Sequence, residues 1–158
     1  MNLKKTIAVT LVACSVIAIA GCATGVPSTQ DMESETAGFQ LPKRPDSGKA
    51  MVYVVRPSSA GKLIRFNVFL DDQEAGSEMG YTRPGQYIHF SVSPGQHKIY
   101  SKAENWAELD ISVRAGEVAF VEQQPSIGFV IARNSLLQLD ALTGKYHVKT
   151  LEPGTLLK

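Results

Sequence analysis

Cysteine is nearly absent from this chain: two occur among 158 residues, Cys14 and Cys22, both within the first 22 positions. No cysteine remains downstream to staple a core, complete a structural zinc site or form a redox couple. An excess of charge of one sign is missing as well. Sixteen Lys and Arg stand against fifteen Asp and Glu, so the sequence lacks the basic footprint that displaces counterions from a nucleic acid, and that class of partner is excluded as an expectation. Long apolar runs are also lacking. The longest, Ile7 to Ala20, has 14 residues, short of the roughly 20 that a helix needs to cross about 30 Å of hydrocarbon. What is there, 44% apolar residues over this length, suits one ordinary globular domain.

The short run lies behind Lys4 and Lys5 and ends at the small residues Ala20 and Gly21, the order of parts in a secretory signal. Its boundary, Ile19-Ala20-Gly21-Cys22, resembles the lipobox of bacterial lipoproteins. That resemblance implies cleavage between Gly21 and Cys22, a diacylglyceryl group on the Cys22 sulfur and acylation of the new amino group, palmitate included. Several chains on one residue anchor stably, because each buried CH₂ contributes about 0.8 kcal/mol and one chain alone binds only marginally. Ala23 stands where Asp marks retention at the inner membrane, so the resemblance points to the outer membrane, with the domain in the periplasm. Residues 1–21 are thus read as a lipoprotein signal peptide. Loss of Lys4 and Lys5 takes the balance to 14 − 15 = −1.

Residues 22–48 read as the lipidated cysteine and a flexible tether, rich in Ser, Thr, Gly, Pro and charge without sustained apolar periodicity. As a coil the tether reaches about 25–30 Å. From residue 49 to 151 the texture changes to short β-branched and aromatic runs between Gly, Pro and Asp turns, which predicts an all-β fold, an antiparallel β-sandwich (immunoglobulin/transthyretin-like) of about eight strands. A short C-terminal helix is expected after Asp140, with Gly144 weakening it, and residues 152–158 are left as a C-terminal tail. Ser93-Pro94-Gly95-Gln96 reads as a hairpin turn, placing Phe90, Val92, His97 and Ile99 inward and Tyr87, His89, Lys98, Tyr100 and Lys102 on the other face. Arg114-Ala115-Gly116-Glu117 in the same way pairs Val113 with Val118 and Ile111 with Phe120.

The succession Val52-Tyr53-Val54-Val55-Arg56-Pro57, then Val68-Phe69-Leu70-Asp71-Asp72 and Gly76, then Pro94-Gly95-Gln96-His97, then Arg114-Ala115-Gly116-Glu117-Val118-Ala119-Phe120 resembles a family of small bacterial lipoproteins classed only as a domain of unknown function. The same turn motifs are similar to PEGA-type β domains of cell envelopes. These motifs are turn chemistry, so the resemblance implies fold and location and carries no catalytic residues.

The residues themselves point away from an enzyme. His89 and His97 fall on opposite faces of the expected hairpin and so do not share a metal. Gly76-Ser77-Glu78-Met79-Gly80 is not a nucleophile elbow, and Asp71-Asp72 reads as a turn rather than an acid and base pair. No metal or cofactor is expected. A recognition surface is, made of Tyr87, His89 and Tyr100 edged by Lys98 and Lys102, while Trp106 reads as a core or edge plug. The expected role is a lipid-anchored envelope protein that binds an envelope partner, protein or peptidoglycan, or gives structural support. A subunit of a secretion, pilus or efflux assembly is the alternative, and a glycan-acting envelope enzyme the third.

Overall fold

The structure, a computed structural model, describes residues 27–158; residues 1–21, expected to be a signal peptide, and Cys22 lie outside them. Ten strands form two five-stranded sheets of a β-sandwich, as expected, flanked by two helices. Sheet A has the order β8 (Ala132–Leu139), β7 (Val118–Ile127), β1 (Ala50–Arg56), β4 (Gln86–Val92), β9 (Glu152–Pro153). Sheet B has the order β10 (Thr155–Leu156), β3 (Glu78–Thr82), β2 (Phe66–Leu70), β5 (Gly95–Lys102), β6 (Trp106–Val113).

Strand β1 lies at the centre of sheet A and explains the layering. Its sequence, Ala-Met-Val-Tyr-Val-Val-Arg, is apolar at consecutive positions, and all seven residues are buried. An unbroken apolar run marks a strand covered on both faces. Ala50, Val52 and Val54 enter the space between the sheets, joining Ile88, Phe90, Val92 and Val121 from sheet A and Val68, Ile99, Ile111 and Val113 from sheet B. Met51, Tyr53 and Val55 point the other way, into a second apolar layer with Tyr87, Phe120 and Val148. Helix α2 (Ala141–Thr150) supplies Val148 and is capped by Asp140, whose carboxylate accepts from the amides of Leu142 and Thr143. The helix expected after Asp140 is therefore present.

Three expectations change. The tether is not uniformly flexible: Ser28 and Asp31 form a reciprocal capping box that starts helix α1 (Thr29–Thr36), and Phe39 and Leu41 pack into the outer apolar layer. The reason is local, since each cap residue satisfies an amide that the first turn leaves without a partner. The C-terminal tail is also part of the body, with β9 pairing to β4 and β10 to β3, so it closes one edge of each sheet. Finally, the Pro94-Gly95 segment is not a hairpin. β4 pairs with β1, and β5 with β2 and β6, so the chain crosses between sheets there. It crosses again after β6, because β7 pairs in parallel with β1. Phe90, Val92 and Ile99 face inward as expected, but across the sandwich rather than along one sheet. Ile111 and Phe120 are separated, one in each apolar layer.

The sandwich has two ends. One holds Ala50, Asp71, Ser93 and Gly116; the other holds Arg56, Phe66, Glu104 and the far end of β7, which runs beside β1 and continues five residues past Glu122, the partner of Val55.

Candidate functional site

The crossing at Pro94 divides the expected recognition surface. Tyr87 and His89 lie on the outer side of sheet A against Tyr53, with ring centroids 5.9 and 5.3 Å away, and Tyr87 is buried. Tyr100, Lys98 and Lys102 lie on the outer side of sheet B, the opposite side of the molecule. The five residues therefore do not form one surface. Tyr100 instead meets Trp106 edge-on at 6.4 Å, Phe69 meets the same indole at 5.0 Å, and the Lys102 ammonium lies 4.9 Å from its centre. Lys98 pairs with Glu108 and Asp110 across β6. Of the two expectations for Trp106, core or edge plug, the core one does not hold: it is a partly exposed residue of the edge strand β6 on this outer face. Gly21 and Cys22, the expected cleavage and lipid attachment positions, lie outside the described residues.

At the Ala50 end, a hollow of about 620 Å³ is lined by Asp71, Gln96, His97, Lys98, Asp110, Ile111 and Ser112. Asp71 adopts a left-handed backbone, φ +67°, which Asp tolerates in turns. Its carboxylate lies 2.9 Å from His97 Nδ1 and accepts from the Lys98 amide, while His97 Nε2 lies 2.8 Å from the Ser93 carbonyl. Burial pulls the imidazole pKa down, but the Ser93 carbonyl and the Asp71 carboxylate outweigh it, and the net shift is upward. Both ring nitrogens face acceptors, which suits the doubly protonated ring. His97 thus clamps the β2 turn to the β4–β5 crossing.

The Arg56 end is built differently. Leu63, Ile127 and Phe129 are each 97% exposed and Val130 is 81% exposed. Leu63, Phe129 and Val130 come from two loops, 57–65 and 128–131, and Ile127 ends β7 just before the second; each loop is held by one charged side chain. Arg56 is fully buried, and its guanidinium donates to the carbonyls of Ile64 at 2.7 Å, Ala60 at 2.9 Å and Gly61 at 3.2 Å while stacking on Phe66 at 3.7 Å. Burial lowers its pKa to about 10, which leaves it charged at neutral pH. Glu104 does the converse for the second loop: its carboxylate accepts from the amides of Phe129 at 2.9 Å, Val130 at 2.7 Å and Ile131 at 2.9 Å. Those amides, with Arg133 beside them, hold the carboxyl below the usual carboxylate range. Gly128 is required at the bend, because a Cβ there would overlap the Ile131 carbonyl.

A buried polar layer supports these loops from within. Thr82 Oγ1 donates to Gln123 Oε1, Gln123 Nε2 donates to Ser101 Oγ at 2.7 Å, and Asn105 and Asn134 exchange two bonds of 2.8 and 2.9 Å. Sheets A and B are thereby locked to each other beneath the tip. Sequence reasoning missed this end because the run from Phe129 to Asn134 reads as a strand, whereas the strand begins only at Ala132. Period-2 apolarity cannot say which apolar run is covered, and Glu104 is distant from the loop it holds.

The fold and this end define a rigid β-sandwich scaffold that presents a preorganised apolar tip. Residues 46–135, more than half of the chain, match the family DUF2846, described as protein of unknown function, and the chain belongs to that family. It is also similar to an uncharacterized protein of Haemophilus influenzae (strain ATCC 51907 / DSM 11121 / KW20 / Rd), 28% identical over 135 residues, covering 84% of this chain and 76% of that protein.

Proposed function

We propose that the protein is a lipid-anchored module of the cell envelope, held to the outer membrane through acylated Cys22 with its sandwich in the periplasm, and that it acts by binding rather than by catalysis. The observation that carries the reading is the tip. A large apolar side chain left in water forgoes about 1.5–3 kcal/mol of burial, and here four of them stand on two loops and the adjoining end of β7. Loops without a role relax toward the core or fray. These two are fixed by three hydrogen bonds each to Arg56 and Glu104, which lowers the ordering entropy lost on binding. The loops that carry them adjoin, Ala60, Gly61 and Ile64 lining one hollow with Ile127, Gly128 and Ile131, and exposed apolar side chains gathered at one end of a fold mark contact surfaces.

A photoreactive residue at position 129, compared with one at Gln96 on the opposite end, tests this in intact cells. Adducts to an envelope component should form at 129 and not at 96. Equal yields at the two positions, or none at either, would remove the reading. The anchor is tested separately: Cys22→Ser should abolish palmitate labelling and processing, and unchanged labelling would sink it.

A further inference from the structure

We propose that the tip docks on an anionic phospholipid surface, Leu63, Ile127, Phe129 and Val130 entering the headgroup boundary while a basic ring meets the lipid phosphates. This names the partner of the module proposed above and rests on that reading.

Charge favours lipid. Lys62, Arg65, Arg83 and Arg133 are exposed around the tip, Lys62 adjoining Leu63, Arg83 sharing a hollow with Pro57 and Lys62, and Arg133 second in the strand that leaves the 128–131 loop. The acid closest to the apolar residues, Glu104, turns its carboxylate to the loop amides and to Arg133 at 4.0 Å, so the net positive charge of the ring is that of Lys62, Arg65 and Arg83. Apolar fingers ringed by Lys and Arg are the combination that binds interfaces carrying anionic lipid. Among the described residues no helix is long and apolar enough to cross a membrane.

Reach favours it too. Because helix α1 and residues 39 and 41 belong to the body, only four residues separate Cys22 from Pro27, in place of the longer tether expected. Those span at most about 18 Å. A domain on so short a leash stays near the bilayer that holds its anchor, at high effective concentration of lipid. A weak second contact is then sufficient, and an acyl anchor combined with a basic patch is a two-signal attachment.

The test uses the full chain, extracted from membranes and reconstituted into phosphatidylcholine vesicles containing phosphatidylglycerol and a lipid brominated in its acyl chains. Trp106 is the single tryptophan and lies on the side of sheet B, so it reports that face. Phe129→Trp combined with Trp106→Phe moves the reporter to the tip. Emission at 129 should shift to the blue and be quenched at least twofold more than Trp106, and Lys62→Gln with Arg83→Gln should roughly halve the difference. Water-like, unquenched emission at 129 overturns the lipid contact, and equal quenching in phosphatidylcholine alone overturns its anionic part. Unquenched emission together with a protein or glycan adduct at 129 discards the lipid and keeps the binding module; unquenched emission with no adduct discards both.

Discussion

Two charged residues, Arg56 and Glu104, do at the tip what regular secondary structure does elsewhere: they satisfy backbone groups that would otherwise compete for water. Glu104→Gln leaves an amide of similar shape but only one acceptor oxygen for three donors. Hydrogen exchange at Phe129, Val130 and Ile131 should quicken at least tenfold in this variant, with the global melting temperature little changed. Arg56 is the more structural of the pair. Arg56→Met strips three carbonyls of their donor inside the protein and should lower stability by about 2–4 kcal/mol in urea unfolding. His97 adds a dependence on pH. Its folded pKa is raised above its ordinary value, so the clamp contributes fully below about pH 6.5 and is lost as pH rises through the higher folded value. His89 and His147 are lowered, chiefly by burial, and contribute in the opposite direction, being lost as pH falls. The comparison must therefore be between the parent and His97→Asn: the gap between their urea midpoints should narrow as pH increases from about 5.5 to 8.5. A gap that widens would show that the ring is neutral in the fold.

At the scale of elements, helix α2 carries a glycine where a helix ordinarily loses about 1 kcal/mol by having one. Gly144 is buried, and a Cβ at that position would overlap the ring of Phe120. Gly144→Ala should consequently destabilise, by about 1–3 kcal/mol, against its propensity. Strands were legible where local pattern decides them: β1, β4 and β6 are β-branched and aromatic runs of the kind expected between turns, and Asp140 announces α2. Partner choice was not legible. Two antiparallel strands joined by Pro-Gly look alike whether they pair or cross a sandwich, because both arrangements place the same residues inward. That is why Phe90 and Ile99 were assigned to the core and Tyr87 to the wrong surroundings. The consequence is measurable: Phe90→Ala should cost about 3–5 kcal/mol, Tyr87→Ala, buried at the Tyr53 layer, should now cost comparably, and Tyr100→Ala should cost much less.

On the whole-molecule scale, the sandwich was readable because its turns and alternation are local, whereas the candidate site depends on which end of the sandwich receives each loop. Leu63 and Phe129 are 66 residues apart in the chain, and nothing in their neighbourhoods couples them. Helix α1 was written in Ser28-Thr29-Gln30-Asp31, a signal hidden by the polar composition around it. The central place of β1 also bears on the order of events in the making of the protein. It emerges early from the ribosome, yet Met51 waits for Val118 and Val55 for Glu122 before that side of the strand is covered. Pairings this distant in sequence make folding slow. Until β7 arrives, a six-residue stretch of Ala, Met, Val and Tyr is open to pairing with other chains, so newly made protein should depend on a holding chaperone, and its refolding at high concentration should lose yield to aggregation.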